Sequence, residues 1–286
     1  MFRPFARFTR AKVNVALHVL GRRADGYHEL DSIVAFAALG DRLDFTPAEA
    51  FQLTVEGPFA AGLTAGGNLI TAAHDAACRL AAAHGRNMPG VAVTLTKTLP
   101  VASGIGGGSG DAATALRGFA EIAGLWPEDP ARSRAMAHAA LSLGADVPVC
   151  LRATACRMSG VGETIRDLTI TLPPAIVLVN PLAAVSTAAV FGGLGLSPGQ
   201  GHGSAIDEDE PRRWRNDLTE PACRLAPVIT DVLAAIAAAG SFSRVAMSGS
   251  GATCFGLASS LAMAQHAASR LRTSHPHWWV VAAELA

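Results

Sequence analysis

The sequence predicts an α+β chain of two domains, on three observations. At 286 residues, half of them apolar, it can bury either one large core or two ordinary ones, and two is the expectation. Patterns of period 2 and period 3.6 are interspersed along its length. Pro173-Pro174 separates a closing strand in TIRDLTITL from a new strand in AIVLVN, which divides the chain into residues 1–172 and 173–286.

Each element follows from local pattern. Residues 11–20 alternate, with Val13, Val15, Leu17 and Val19 on one face and Lys12, Asn14, Ala16 and His18 on a less apolar one. Asp25-Gly26 is a turn signal, so a hairpin-like connection carries Tyr27 and His28 past its tip into an apolar run over 33–39. A helix is expected over 69–83. An alternating strand covers 91–99, with Lys97 interrupting its apolar face. A helix opens at Ser109, another covers 131–143 and stops at Gly144, and ADVPVCL reads as a short buried strand. Beyond the proline pair come strand 175–180, a short helix near 186–192, helix 222–239, strands 243–247 and 252–257, helix 260–272 and strand 278–284. Without the short helix this is β-α-β-β-α-β, the split pattern of a ferredoxin-like domain. Residues 197–213 are polar and glycine-rich and read as a flexible surface loop.

Composition excludes several classes of function. Acids and bases balance at 23 each, so no field of one sign attracts nucleic acid or an anionic membrane. Five cysteines without a C-x-x-C pair argue against a disulfide framework and a zinc site. With no apolar signal core and no run of about 18 apolar residues, a soluble cytoplasmic protein is expected, monomer or homodimer, without nucleic-acid or membrane partner. Of the 23 basic residues only Lys12 and Lys97 are lysines. A compact ammonium and a planar guanidinium are not interchangeable against phosphate or carboxylate.

PVASGIGGGSGDAATAL, residues 100–116, places glycines at 104, 106, 107, 108 and 110 directly ahead of a helix. A helix N-terminus exposes unpaired N–H groups and the positive end of its dipole, and glycines let backbone approach an anion, so the stretch reads as a phosphate cradle. It is not a P-loop, because residues 98–116 contain no lysine. It is not a dinucleotide fingerprint either, because the strand ends too far upstream of Gly108.

The same stretch resembles the second motif of the galactokinase, homoserine kinase, mevalonate kinase and phosphomevalonate kinase superfamily, the GHMP kinases. AMSGSGATCFGL (246–257) resembles their third motif. RAKVNVALHVLGRRADGYHELDSIV (10–34) is similar, more narrowly, to the branch that acts on a cytidine diphosphate-linked methylerythritol, and GADVPVC (144–150) and NDLTEPA (216–222) also match. The resemblance implies a two-domain GHMP kinase fold, an N-terminal ribosomal-protein-S5-like domain followed by the ferredoxin-like one. It also implies ATP-dependent phosphorylation of a small-molecule alcohol with Mg²⁺.

By resemblance, Pro100, Val101, Ala102, Ser103, Gly104, Ile105, Gly106, Gly107, Gly108, Ser109 and Gly110 wrap the ATP phosphates, and the Ser109 hydroxyl approaches Mg²⁺. Asp146 takes the hydroxyl proton, with Lys12 beside it; for either residue alone, a structural ion pair is the competing reading. Asn14 meets substrate or phosphate, or is a polar strand residue. Tyr27 and His28 hold a cytosine by stacking and hydrogen bonding, where residues in such a position are otherwise surface or packing groups. Phe191 adds a second aromatic or belongs to the core. Asn68 and Lys97 contact the nucleotide, and Gly249, Ser250 and Gly251 form a hairpin turn that braces its site. Two positions depart from the pattern. Gly110 replaces a residue with a side chain, and CLRATACRMSGVGE lacks glycines that often follow the equivalent arginine. Two alternatives stay open: a GHMP kinase acting on homoserine or a mevalonate relative, and a catalytically silent ligand sensor on the same fold.

Overall fold

The computed structural model describes residues 2–64, 66–125 and 130–286. Its strands are β1 Phe5–Phe8, β2 Ala11–Arg22, β3 His28–Ala37, β4 Arg42–Pro47, β5 Gln52–Glu56, β6 Val91–Thr96, β7 Cys156–Gly160, β8 Thr164–Asp167, β9 Ala175–Asn180, β10 Arg244–Met247, β11 Cys254–Ala258 and β12 Trp279–Glu284. Its helices are α1 Leu69–Ala83, α2 Gly107–Ile122, α3 Pro130–Leu143, α4 Val147–Arg152, α5 Thr187–Gly192, α6 Thr219–Leu225, α7 Val228–Ala239 and α8 Leu261–Ser274.

The chain packs into two compact units that do not follow the 1–172 and 173–286 division. The first comprises residues 1–11, 39–101 and 106–152, the second residues 12–38, 102–105 and 153–286. The interleaving has a simple cause: β3 pairs antiparallel with β7, Asp31 opposite Ser159, so the early hairpin joins later chain in one sheet.

In the first unit the sheet order is β1-β4-β6-β5, with β5 and β6 parallel. Leu43, Phe45, Val93 and Leu95 point into a core closed by Ile70 of α1 and by Leu116 and Phe119 of α2. Phe45 stacks on Phe5 at 4.8 Å and meets Phe119 edge-on at 5.6 Å. Burying each such ring stabilises the fold by roughly 1.5–3 kcal/mol. Helix α1 forms where expected, because Ile70, Ala73, Ala77 and Ala81 recur on one buried face and the Asn68 side chain caps its start.

In the second unit one sheet has the order β2-β3-β7-β8, with β3–β7 and β7–β8 antiparallel, and the other, β10-β11-β9-β12, is antiparallel throughout. The second order is the ferredoxin-like arrangement that the sequence predicts. Ile229, Val232 and Ile236 of α7 and Leu271 of α8 bury against Val177 and Val179 of the fully buried β9.

Several expectations are corrected. ADVPVCL does not form a strand: residues 147–152 are helical, with the Cys150 N–H on the Asp146 carbonyl at 3.1 Å. A short apolar run has no decisive period, and Pro148 is tolerated in a first helical turn. The helix expected over 222–239 is two, α6 and α7, bent by 119° where Pro227 lacks an N–H. Strand 91–99 stops at Thr96, and the closing strand ahead of the proline pair is only β8, preceded by the unforeseen β7. Both faces of β2 are buried, Lys12, Asn14 and His18 included.

Residues 197–213 are not a free loop. Gly199, His202 and Gly203 donate to the carbonyls of Arg22, Leu20 and Val19, laying this segment along β2. Glu208 fastens it further: its carboxylate accepts from Arg166, from Arg157 at 3.2 Å, and from the N–H and hydroxyl of Thr169 at 3.0 and 2.7 Å.

A Cβ added at Gly118 would lie 2.5 Å from Phe45 Cζ. Alanine in place of helical glycine ordinarily gains up to about 1 kcal/mol, but overpacking costs about 1–3 kcal/mol. Gly118→Ala therefore lowers the denaturation midpoint, and an unchanged or raised midpoint would contradict the packing. Burial alone would raise the Glu208 pKa, but the Thr169 and guanidinium hydrogen bonds outweigh it and bring it down from 4.5 to about 2. This stabilisation is therefore complete above the unfolded value and is lost as pH falls towards 2. Glu208→Gln flattens the acid limb of the stability curve; an acid denaturation curve identical to the wild type would refute this assignment.

Candidate active site

The glycine-rich segment is shared between the units, with Ala102–Ile105 in the second. There it lies on the turn joining β10 to β11. The Ser248 hydroxyl donates to the Gly104 carbonyl at 2.9 Å and accepts from the Asn14 N–H at 3.0 Å. Thr253 N–H donates to the Ser103 carbonyl at 3.1 Å, and Lys12 N–H to the Ile105 carbonyl at 3.0 Å. Gly104 is required twice over: its φ is +76°, and a Cβ there would stand 2.5 Å from the Ser248 carbonyl oxygen and 2.8 Å from that of Gly251. Gly249 and Gly251 also have positive φ, and Asn216 holds the turn through the Met247 and Gly249 carbonyls, each at 2.8 Å. Asn14 and the Lys12 side chain are buried beside this framework, and the Asn14 amide donates to Ser32 Oγ at 2.7 Å.

The same unit joins two of the expected base-binding residues. His28 and Phe191 pack ring to ring at 4.7 Å with an interplanar angle of 33°. Burial, then the Arg22 charge, lowers the His28 pKa, favouring the neutral imidazole that can both donate and accept. Tyr27 is 66% exposed, so its ring is accessible for stacking.

In the first unit, Pro100 is buried and Val101 exposed. Helix α2 starts two residues earlier than expected. Its cap is Gly106 rather than Ser109, with φ +65° and no side-chain cap, and the Gly110 N–H donates to the Gly106 carbonyl at 2.7 Å. The left-handed conformation that turns the chain into the helix is open to glycine at little cost, which a serine-cap reading overlooks. Gly107, Gly108 and Ser109 thus form the first turn, whose N–H groups have no intrahelical acceptor. Gly110 is buried near Thr9 and the Arg10 carbonyl; a Cβ there would be 3.6 Å from both, an ordinary contact.

Beneath that first turn lies a charge cluster that sequence reasoning saw only in part. The Lys97 ammonium binds Asp41 and, at 2.8 Å, Asp111, all three essentially buried. A Cβ on Gly107 would stand 3.1 Å from Lys97 Nζ. Asp41 also accepts from the N–H groups of Thr98 and Leu99 at 2.6 and 2.8 Å, which ends β6 and sets up the approach to the glycines. Burial alone would depress the Lys97 pKa, but Asp111 and Asp41 outweigh it and raise it. Burial pushes the Asp111 carboxyl up to about 7. Lys97 thus supports the loop from below, its charge already met by carboxylates. Asp41 had one sequence signal, an isolated acid between Gly40 and Arg42 after an apolar run.

Asn68 Oδ1 caps α1 by accepting from the Ile70 N–H at 2.9 Å. Asp146 is half-buried immediately ahead of α4, and Ser109 is half-buried on α2. Sequence reasoning gave no role to Ser248, Asn216, Thr253 or Thr187. The first three lie inside or beside the quoted motifs, but only the folded backbone shows what their side chains hold.

Comparison with known proteins agrees with this architecture. Residues 68–154 match the GHMP kinases N terminal domain and residues 200–277 the GHMP kinases C terminal domain. The chain is 49% identical over 288 residues to 4-diphosphocytidyl-2-C-methyl-D-erythritol kinase of Paramagnetospirillum magneticum, covering 96% of each chain. It is 49% identical to the protein so named from Dinoroseobacter shibae, covering 97% of this chain and 94% of that one. A crystal structure of 4-(cytidine 5'-diphospho)-2C-methyl-D-erythritol kinase superposes with a TM-score of 0.79 at 32% identity, over 99% of both chains. A homoserine kinase from Cytophaga hutchinsonii, at a TM-score of 0.67 and 18% identity, shares the fold alone. With both domains matched, the glycine segment fastened to the β10–β11 turn, and near-complete alignment to these relatives, the chain belongs to the 4-diphosphocytidyl-2-C-methyl-D-erythritol kinases of the GHMP kinase superfamily.

Proposed function

We propose that the protein transfers the γ-phosphoryl group of ATP to the 2-hydroxyl of 4-diphosphocytidyl-2-C-methyl-D-erythritol in the non-mevalonate isoprenoid pathway. The observation that carries this reading is the glycine backbone of residues 102–105 held rigidly on the 248–253 turn, in a chain whose His28 and Phe191 rings are already paired. Phosphoryl transfer through a loose transition state asks mainly for positioning and for neutralisation of charge on the transferring oxygens. Residues 100–110 supply N–H groups to the phosphates, and Gly249, Ser250 and Gly251 brace them. Asn68 offers its amide N–H₂ to the nucleotide, since its Oδ1 serves the helix cap. Lys97 acts from beneath the loop.

Asp146 accepts the proton of the substrate hydroxyl, and Lys12 supplies positive charge at the reacting oxygen. Asn14 helps to orient the substrate. Tyr27, His28 and Phe191 hold the cytosine, the exposed phenol by stacking and the imidazole by hydrogen bonding.

Among the described residues no group of three or more His, Cys, Asp or Glu could hold a metal ion. Mg²⁺ would arrive with ATP, since it keeps several waters and takes phosphate oxygens with only one or two protein ligands. Ser109 would provide one, and the ion would neutralise phosphate charge. The departure at Gly110 leaves the helix start intact, because the Gly110 N–H still closes the first turn. This favours an active enzyme over a silent sensor.

Incubated with ATP, Mg²⁺ and the cytidyl substrate, the purified protein is expected to form ADP and a phosphomonoester visible by ³¹P NMR. Formation of no ADP above background, or turnover of homoserine or mevalonate instead, would reject the assignment. Asp146→Asn is expected to lower kcat by about 10²–10⁴-fold while ATP affinity stays within about twofold. An active variant would remove Asp146 from the role of base.

A further inference from the structure

We infer that the hydroxyl pair Thr187–Ser250 positions the aromatic clamp against the glycine turn, so that ATP and the cytidyl substrate strengthen each other's binding. This rests on the reading that residues 248–253 brace ATP and that His28 and Phe191 hold the base.

Helix α5 carries Phe191. At six residues it is too short to be stable alone, so its orientation is set by what it is tied to. Val190 anchors it in the core of the unit, and Ser186 caps it through the Ala189 N–H at 3.3 Å. At its first residue the Thr187 hydroxyl lies 2.8 Å from Ser250 Oγ. Phe191 is four residues further on, on the same side of the helix, against His28 at 4.7 Å. A single helical turn therefore separates the glycine turn from the ring that clamps the base.

A second strap fixes the same connection. Asn180, at the end of β9, donates to Thr253 Oγ1 at 2.8 Å and accepts from the Leu182 N–H at 2.6 Å. Leu182 is held at φ +60°, a conformation costly for a side-chain-bearing residue that persists only where its surroundings impose it. Thr253 in turn donates its N–H to the Ser103 carbonyl at 3.1 Å. Residues 180–187 are thus tied at both ends to the turn that holds the 102–105 backbone. An anion settling on that backbone restrains Ser250 and, through Thr187, the angle at which Phe191 meets the base. By thermodynamic reciprocity the base restrains the turn in the same measure.

Thr187→Val keeps the shape and removes the hydroxyl, whereas Thr187→Ser keeps the hydroxyl. The probe is cytidine 5′-diphosphate, titrated by calorimetry with and without a non-hydrolysable ATP analogue and Mg²⁺. In the wild type and in Thr187→Ser the analogue is expected to tighten binding by about fivefold or more. In Thr187→Val the factor falls to near unity, and the substrate KM rises several-fold with kcat within about twofold. Ser250→Ala gives the same loss of coupling, whatever its effect on turnover, and the double variant loses no more coupling than either single one. Wild-type coupling retained in Thr187→Val and Ser250→Ala, or no coupling in an active wild-type enzyme, overturns the inference while leaving the kinase reading intact. A wild-type protein that phosphorylates no cytidyl substrate defeats the kinase reading and this inference with it.

Discussion

The functional geometry of this chain depends on one buried side chain, the hydroxyl of Ser248. It donates to the carbonyl of Gly104 and accepts from the N–H of Asn14, so the glycine segment, the first long strand and the β10–β11 turn meet on a single oxygen. A typical hydrogen bond contributes only about 1 kcal/mol net, but leaving such buried groups unpaired costs about 1–3 kcal/mol each. Both backbone partners are fixed by the β-structure and by a positive-φ glycine, so the hydroxyl cannot be replaced without disturbing backbone on two sides. Binding phosphate through N–H groups requires that those groups already point the right way, and preorganisation of this kind lowers the ordering cost of binding.

A second constraint works from beneath. Lys97, Asp41 and Asp111 bring two carboxylates and one ammonium into the core under the first turn of α2. A buried ion cluster is weak evidence for stability, because desolvation offsets much of the Coulombic gain, but removing one member leaves a charge unpaired. The cluster therefore serves geometry. It fixes where β6 ends and holds the polypeptide beneath Gly107. Asp111 has one buried oxygen without a hydrogen-bond partner, and the Lys97 ammonium favours the charged form that burial opposes.

Legibility in the sequence followed how local each signal is. The β9 to β12 elements and α1 were legible because their patterns are long and bounded by turns or caps, and the ferredoxin-like order emerged from them directly. Residues 146–152 were not, since Val147, Val149 and Cys150 bury equally well from a strand or a helix turn. The break at Pro227 lies within an apolar run that reads as one helix by pattern alone. The pinning of residues 197–213 and the interleaving of the compact units depend on pairing with β2 and β3 across more than a hundred residues, which no local pattern encodes. Residue types and motifs nominated the glycines, Lys12, Asn14, Tyr27, His28, Asp146 and Phe191. Which hydroxyl holds which carbonyl required the fold, and so did the discovery that Lys97 is already paired.

We propose that the 102–105 backbone and the 248–253 turn, joined through the Ser248 hydroxyl, form one preorganised surface for phosphate. Hydrogen–deuterium exchange with and without MgATP tests it directly. Backbone amides in both segments are expected to slow together on adding nucleotide, with saturation at the same concentration. Protection confined to one segment, or nucleotide binding that leaves both unchanged, would contradict it.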